Sequence, residues 1–523
     1  MSQALRVSHA LCVSAAAAVC LMLPLTSLRA DPPSLAAADA AFAQGKFDQA
    51  RRTYQSLLKT DPALPAPRLG LIQSLLRLDR WQDALRAAQE ATQALPASAD
   101  VHGLLAMTEI RAGQPEAAST DANLALAKDR DCYWGLVAAG RVADWEGREK
   151  EAYVLFTRAT TLHPERPDGW LGAWQTINDP GITEADLQIA KSYLALAPKG
   201  QPFDFNTSYI QNIVTNETGY WHGFDKDPPF HLDEADQKQQ SYMAVFPIQR
   251  SGKSVLVSVG INGKPFHLLF DTGASNLLLS SKAARRLGLT NLAKTSVSGV
   301  QGRAPASLQR ADTLTLGSIT LHSIPLTVTG SVPEDGDGIF GGSLLRDYAI
   351  TLDFADNTMT IARGHGAMHL AMANTTVAAT PLHFYNSHLF VSTHAQGRRV
   401  WAMLDTGAYT DIFSLNLTHD LSSDTARSDW REGSYEERIG IGDSAMQIDY
   451  CVTPKKLNIA FDGSSPPATL TQDGLIGQSS IDHQISPSFG FEIGMILGVP
   501  VLSQHNRVTI DYPHRLLTLE DPK

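Results

Sequence analysis

Small and apolar residues recur at helical spacing from Ser34 to about Trp174, whereas after Ser241 apolar and polar positions alternate. The first pattern predicts amphipathic helices and the second predicts β-strands. The helical region also repeats itself. Gly45-Lys46-Phe47-Asp48-Gln49-Ala50 is echoed by Asp79-Arg80-Trp81-Gln82-Asp83-Ala84, Gly113-Gln114-Pro115-Glu116-Ala117-Ala118 and Gly147-Arg148-Glu149-Lys150-Glu151-Ala152. The closing alanines keep a constant step of 34 residues, as do Pro62, Pro96 and Pro164, with Arg130 where a proline is missing. A turn residue, a large anchor, a small residue where helices touch and a proline after the second helix define one helical hairpin.

About four such hairpins are evident, and a fifth fits after Pro164. They resemble the tetratricopeptide repeat. One hairpin cannot bury its apolar face, so stacked neighbours supply the core and leave a concave groove. Peptide or protein binding in that groove is what the resemblance implies, although no residue identifies a partner. From about Pro198 to Gln240 the pattern dissolves into Lys199-Gly200-Gln201-Pro202, scattered aromatics and a polar run. This reads as a linker that packs on its neighbours, because Tyr220, Trp221, Phe224 and Phe230 are costly to leave in water.

Beyond Ser241, Ser254 to Val259 reads as a strand, Asn262-Gly263 as a hairpin turn, and Pro265 to Phe270 as the strand that delivers Asp271. Ser281 to Leu289 reads as a short helix closed by Gly288. A second copy follows: Leu389 to Thr393, a turn at Gln396-Gly397, and Arg399 to Leu404 delivering Asp405. Ile350-Thr351-Leu352-Asp353-Phe354 matches Val508-Thr509-Ile510-Asp511-Tyr512 at the far end of each copy. The copies are offset by 134 positions at their start and 158 at their end, so the second holds about 24 extra residues between Asp405 and Val508.

The chemistry lies in the duplicated string Asp271-Thr272-Gly273-Ala274 and Asp405-Thr406-Gly407-Ala408. A carboxylate at the tip of an apolar strand needs a partner, and the nearest in kind is the other copy. These residues resemble the aspartic protease clan, with the alanine after glycine closer to its retropepsin branch. The resemblance covers Ser241 to Lys523. It implies an all-β bilobal fold after the all-α solenoid, and endopeptidase activity with Asp271 and Asp405 as the catalytic pair. Thr272 and Thr406 are expected to bond across the lobes, and Gly273 and Gly407 to let backbone amides approach the carboxylates.

The family's second element, two apolar residues then glycine before a short helix, fits Ile339-Phe340-Gly341. In the second copy Leu475-Ile476-Gly477 keeps the spacing from its Asp, while Ile496-Leu497-Gly498 keeps the spacing to the closing strand. The latter is expected, since its helix must lead into Val508 without a further insertion. Ser298-Gly299-Val300-Gln301-Gly302 resembles a flap hairpin, with Gly299 and Gly302 permitting a mobile turn. The Arg431-Glu432-Gly433-Ser434 region matches poorly, so a second flap is not expected.

Composition narrows the remaining options. The chain of 523 residues carries a formal net charge of −11, and no basic face for nucleic acid is assigned. Arg6, the apolar run from Ala10 to Leu23 and the small residue at Ala30 have the layout of a secretory leader. The run is short of the roughly 20 residues of a membrane span, so no stable span is expected after processing. Cleavage near Ala30 leaves only Cys132 and Cys451, which fits a bacterial periplasmic or secreted protein rather than a disulfide-built one. His365 and His369 are flanked by Gly364 and Gly366, which argue against a shared helix face, so no metal site is assigned. No cofactor is implied.

The expected organisation is a leader at 1–30, repeats at 31–198, a linker at 199–240 and protease-like lobes at 241–370 and 371–523. Tyr409 stands where the first copy has Ser275, so the copies differ near the site. A non-catalytic peptide- or protein-binding scaffold that keeps the protease-like fold is the alternative these residues leave open.

Overall fold

The computed structural model describes residues 33–521 apart from 178–180, 198, 200–204, 233–241, 252–253, 300–301, 331, 333–335, 365–375, 386, 423–430, 438–445 and 463–468. The leader, His365 and His369 therefore lie outside the described residues. No helix among the described residues is long and apolar enough to cross a membrane.

The first half is a stack of helical hairpins. Phe47–Thr60, Trp81–Ala94, Pro115–Lys128 and Glu149–Leu162 are their second helices. Ala50, Ala84, Ala118 and Ala152 are all fully buried where helices meet. The turns share one backbone state: Gly45, Gly113 and Gly147 have φ of 73°, 71° and 80°, and Asp79 takes the same left-handed conformation at 56°. That strain at a non-glycine residue accompanies a second role, since the Asp79 carboxylate accepts two hydrogen bonds from Arg111. Pro167–Gln175 and Glu184–Leu196 make a fifth hairpin, the latter helix opened by a Thr183–Asp186 capping box.

The stretch read as a linker contains regular structure. Phe205–Asn212 is helical and continues through a wide turn at Ile213–Glu217 into Thr218–Trp221. Its aromatics settle on the first lobe: Tyr220 and Phe224 are buried with Leu308, and the Tyr220 hydroxyl donates to the Gln309 carbonyl at 2.8 Å. The wide turn at Ile213–Glu217 interrupts the 3.6-residue period, which is why composition alone made this stretch a linker.

The β region has near two-fold symmetry. A sheet runs in the order Tyr242–Ser251, Thr358–Arg363, Ala349–Asp353, Arg507–Asp511, Leu516–Glu520, Thr376–Tyr385 and joins the lobes. At its centre Ile350 faces Ile510, and the Thr351 and Thr509 hydroxyls bond each other at 2.8 Å. Apolar positions of both lobes merge beneath it into one core containing Phe266, Phe270, Leu352, Leu404, Phe413 and Leu497.

The extra residues of the second lobe help build a dock for the repeats. Residues 479–494, between Thr469–Gln478 and Met495–Leu497, supply Ile481, Ile485, Phe491 and Ile493 to a buried cluster with Trp401 and, from the repeat array, Trp145. The Trp145 ring stacks on His383 at 4.8 Å and meets Trp401 and Phe491 edge-on at 4.7 and 4.8 Å. Trp401 Nε1 donates to the Gly113 carbonyl at 2.8 Å, and Arg399 forks onto Glu116 at 2.7 and 3.0 Å. A buried aromatic cluster rimmed by ion pairs holds the third and fourth hairpins to the second lobe.

Candidate active site

Each lobe builds the same loop by the same means. The strand Lys264–Asp271 lies parallel to Gly338–Gly341, with Asp271 opposite Gly341, and the hairpin partner Ser254–Ile261 supports its other edge. In the second lobe Arg398–Leu404 lies parallel to Met495–Leu497, with Leu404 opposite Leu497. Ile496-Leu497-Gly498 is therefore the second copy's apolar-apolar-glycine element, and a short helix at Val499–Leu502 follows it. Leu475-Ile476-Gly477 lies instead in Thr469–Gln478, whose Gly477 pairs with Phe413. That is the place Ile319–Thr329 holds beside Leu277–Ser280 in the first lobe.

These strands end face to face and bring Asp271 and Asp405 together. Thr272 and Thr406, each 1% exposed, lock the two loops. Thr272 Oγ1 donates to the Leu404 carbonyl at 2.8 Å and accepts from the Thr406 amide at 3.0 Å. Thr406 Oγ1 donates to the Phe270 carbonyl at 2.8 Å and accepts from the Thr272 amide at 3.0 Å. The Gly273 and Gly407 amides donate to the Oδ1 of Asp271 and Asp405 at 2.8 and 2.9 Å. Glycine is required for close approach here: a Cβ on Gly407 would stand 2.5 Å from Asp271 Cγ, and one on Gly273 would stand 2.7 Å from Asp405 Cγ.

The two carboxyls are hydrogen-bonded to each other. Burial, the charge of Asp405 and that hydrogen bond hold Asp271 well above the ordinary carboxyl range. Burial also raises Asp405, against hydrogen bonds from Asp271 and the Gly407 amide and the favourable charge of His388. Two acids this close cannot both ionise cheaply, so they share one proton.

Above the first loop, Ala293–Gly299 and Gly302–Leu316 form a hairpin with Gly299 opposite Gly302. The second lobe has a hairpin too: Arg431–Glu437 pairs with Met446–Phe461 from Glu437 opposite Met446. The strands of a second hairpin are thus present where the sequence matched poorly. Residues 438–445 connect the two strands. That tip lies outside the described residues.

Several supporting residues escaped sequence reasoning. Asp411, 2% exposed, accepts from the Gly498 amide at 2.7 Å and ties the second loop to its glycine. Ser343 Oγ donates to the Ser275 carbonyl at 2.9 Å in the first. Tyr512 is buried behind the dyad, with its ionisation pushed up by burial and by Asp271. Only the mismatch between the copies at this position, Phe354 against Tyr512, marked it in the sequence. Among the described residues no group of three or more His, Cys, Asp or Glu side chains is placed to hold a metal.

Comparison with known proteins agrees with these parts. Residues 257–344 match the aspartyl protease family model, and residues 41–90 match a tetratricopeptide repeat model. Among solved structures, an aspartic proteinase from Irpex lacteus is similar at 14% identity, covering 54% of this chain and 98% of its own, with a TM-score of 0.37. A thermophilic TPR protein from Thermus thermophilus is similar at 19% identity, covering 32% of this chain and 90% of its own, with a TM-score of 0.28. None of the curated proteins matches this chain. The chain thus joins a TPR-like helical array to a β region of the aspartic protease fold.

Proposed function

We propose that this protein is an exported aspartic endopeptidase whose dyad is Asp271 and Asp405, and whose repeat array engages a protein substrate or partner. The observation that carries the reading is the crossed threonine lock, which holds two Asp-Thr-Gly loops so that their carboxyls share a proton. In this reading ionised Asp405 takes a proton from a water held between the carboxyls as the water oxygen attacks the scissile carbonyl. Asp271 donates its proton to the carbonyl oxygen, giving a neutral tetrahedral diol. Collapse of the diol breaks the C–N bond as the nitrogen takes a proton from Asp405 and a diol hydroxyl returns one to Asp271. No acyl-enzyme forms.

Export rests on the leader pattern at residues 1–30 and on the use of only two cysteines beyond it, both buried and neither in a disulfide. The third and fourth hairpins are committed to the second lobe, and Arg77 bonds Asp168 three hairpins further on. The array is therefore a fixed attachment to the second lobe. The test is to incubate residues 31–523 with a diverse peptide library at several pH values, with and without a transition-state-mimicking aspartic protease inhibitor. Inhibitor-sensitive cleavage is expected. Absence of cleavage at every pH would favour a peptide-binding scaffold.

A further inference from the structure

The two halves of the dyad are approached by different side chains. In the second lobe the ladder between His388–Ala395 and Arg398–Leu404 begins with Leu389 opposite Leu404, both in the common core. Carried one step outward, the same register sets His388 across from Asp405, and strand alternation turns the His388 side chain to the opposite face. Phe390 and Met403, two residues back on each strand, mark that face and belong to the aromatic cluster of the dock. Phe489, ending the short helix Ser486–Phe489, meets both the His388 ring at 4.7 Å and the Phe390 ring at 5.3 Å edge-on. Phe489 thereby fixes the imidazole at the start of its strand, and its charge favours the Asp405 carboxylate. In the first lobe Leu256 pairs with Leu269, which puts Ser254 across from Asp271. A neutral hydroxyl there has no such effect.

We propose that His388 is a positioning residue that breaks the near symmetry of the dyad, settling the negative charge on Asp405 and leaving the shared proton on Asp271. This rests on the hydrolytic reading above, and it makes Asp405 the base and Asp271 the acid. The imidazole faces Asp405, with Asp271 beyond it, Tyr385 across the strand turn, and the uncharged Phe489. When protonated, the imidazole favours the Asp405 carboxylate, so its removal raises the pH at which the dyad first ionises.

The test uses the full chain as wild type, His388→Gln and His388→Lys, each shown to be folded by circular dichroism. A small epoxide is the probe: an ionised carboxylate oxygen attacks the ring carbon, the ring C–O bond breaks, and the alkoxide takes a proton from water to leave a hydroxyalkyl ester. Peptide mapping by mass spectrometry then gives the extent of ester on Asp405 and on Asp271 as a function of pH. In the wild type the label should fall mainly on Asp405. In His388→Gln the labelling midpoint should rise by about one pH unit, about tenfold in ionised fraction on the acid side, and the preference for Asp405 should shrink. His388→Lys should restore both. An unchanged midpoint and site ratio in folded His388→Gln would overturn the proposal. The readout needs no turnover, so a shift of label in a protein that cleaves nothing supports this assignment while sinking the hydrolytic reading.

Discussion

Replacing Thr272 with valine keeps the shape of the side chain and removes one hydroxyl from the lock between the lobes. That hydroxyl serves the Leu404 carbonyl and the Thr406 amide, at a position 1% exposed. Valine leaves a backbone donor and an acceptor without partners, each costing about 1–3 kcal/mol, so the loops should lose about 2–6 kcal/mol of local stability. Global denaturation is a poor gauge, because an array and two lobes do not unfold as one unit. Hydrogen exchange read by mass spectrometry on peptides covering residues 265–280 and 400–412 reports the lock itself. At about 1.4 kcal/mol per factor of ten, the amides of both loops should exchange at least about thirtyfold faster in Thr272→Val. Because the threonines share one network, adding Thr406→Val should cost less than a second full increment. Wild-type exchange in both loops of a folded Thr272→Val protein would refute the idea that these bonds hold the dyad together.

Three further outcomes are expected. Gly407→Ala puts a Cβ 2.5 Å from Asp271 Cγ, so kcat should fall about a hundredfold from misplacement of the pair; steady-state kinetics on any cleaved peptide checks this, and an unchanged kcat would contradict it. Trp401→Ala removes a ring 4% exposed at a cost of about 3–5 kcal/mol and should free the array from the second lobe, seen as faster proteolysis within 199–240; an unchanged cutting rate would remove the dock from the account. Burial, with a contribution from Glu149 and against Arg141 and Arg515, pushes Asp144 beside the dock up to about 7. A carboxyl that ionises near 4 when unfolded and near 7 when folded leaves stability complete below about pH 4 and lost as pH rises to about 7. Asp144→Asn should therefore flatten the pH dependence of the array's own unfolding transition between pH 4 and 8, and an unaltered slope would show that Asp144 is not the group responsible.

Patterns that every unit must satisfy locally were legible in the sequence. Each hairpin needs a small residue at its helix contact, so the four alanines kept their step, and each carboxylate loop needs a glycine beneath it. Features set by register across strands were not. Nothing near His388 in the chain indicates that it stands across from Asp405, because that follows from how Leu389 meets Leu404. Asp411 reads as an ordinary loop acid until the Gly498 amide is seen beside it. The dock was hidden for a related reason: Trp145 occupies a helical position that suits a repeat core, and its partners lie more than two hundred residues away. The helical stretch from Phe205 to Trp221 was missed because the wide turn at Ile213–Glu217 breaks its period.

The central claim is that Asp271 and Asp405 work as one group, and the most direct measurement is the cleavage rate of one peptide by the wild type, Asp271→Asn, Asp405→Asn and the double variant. An amide can neither activate water nor share the proton, so each single variant should lose cleavage while remaining folded, and the double variant should be no worse than either. Full activity in either folded single variant would contradict the shared dyad.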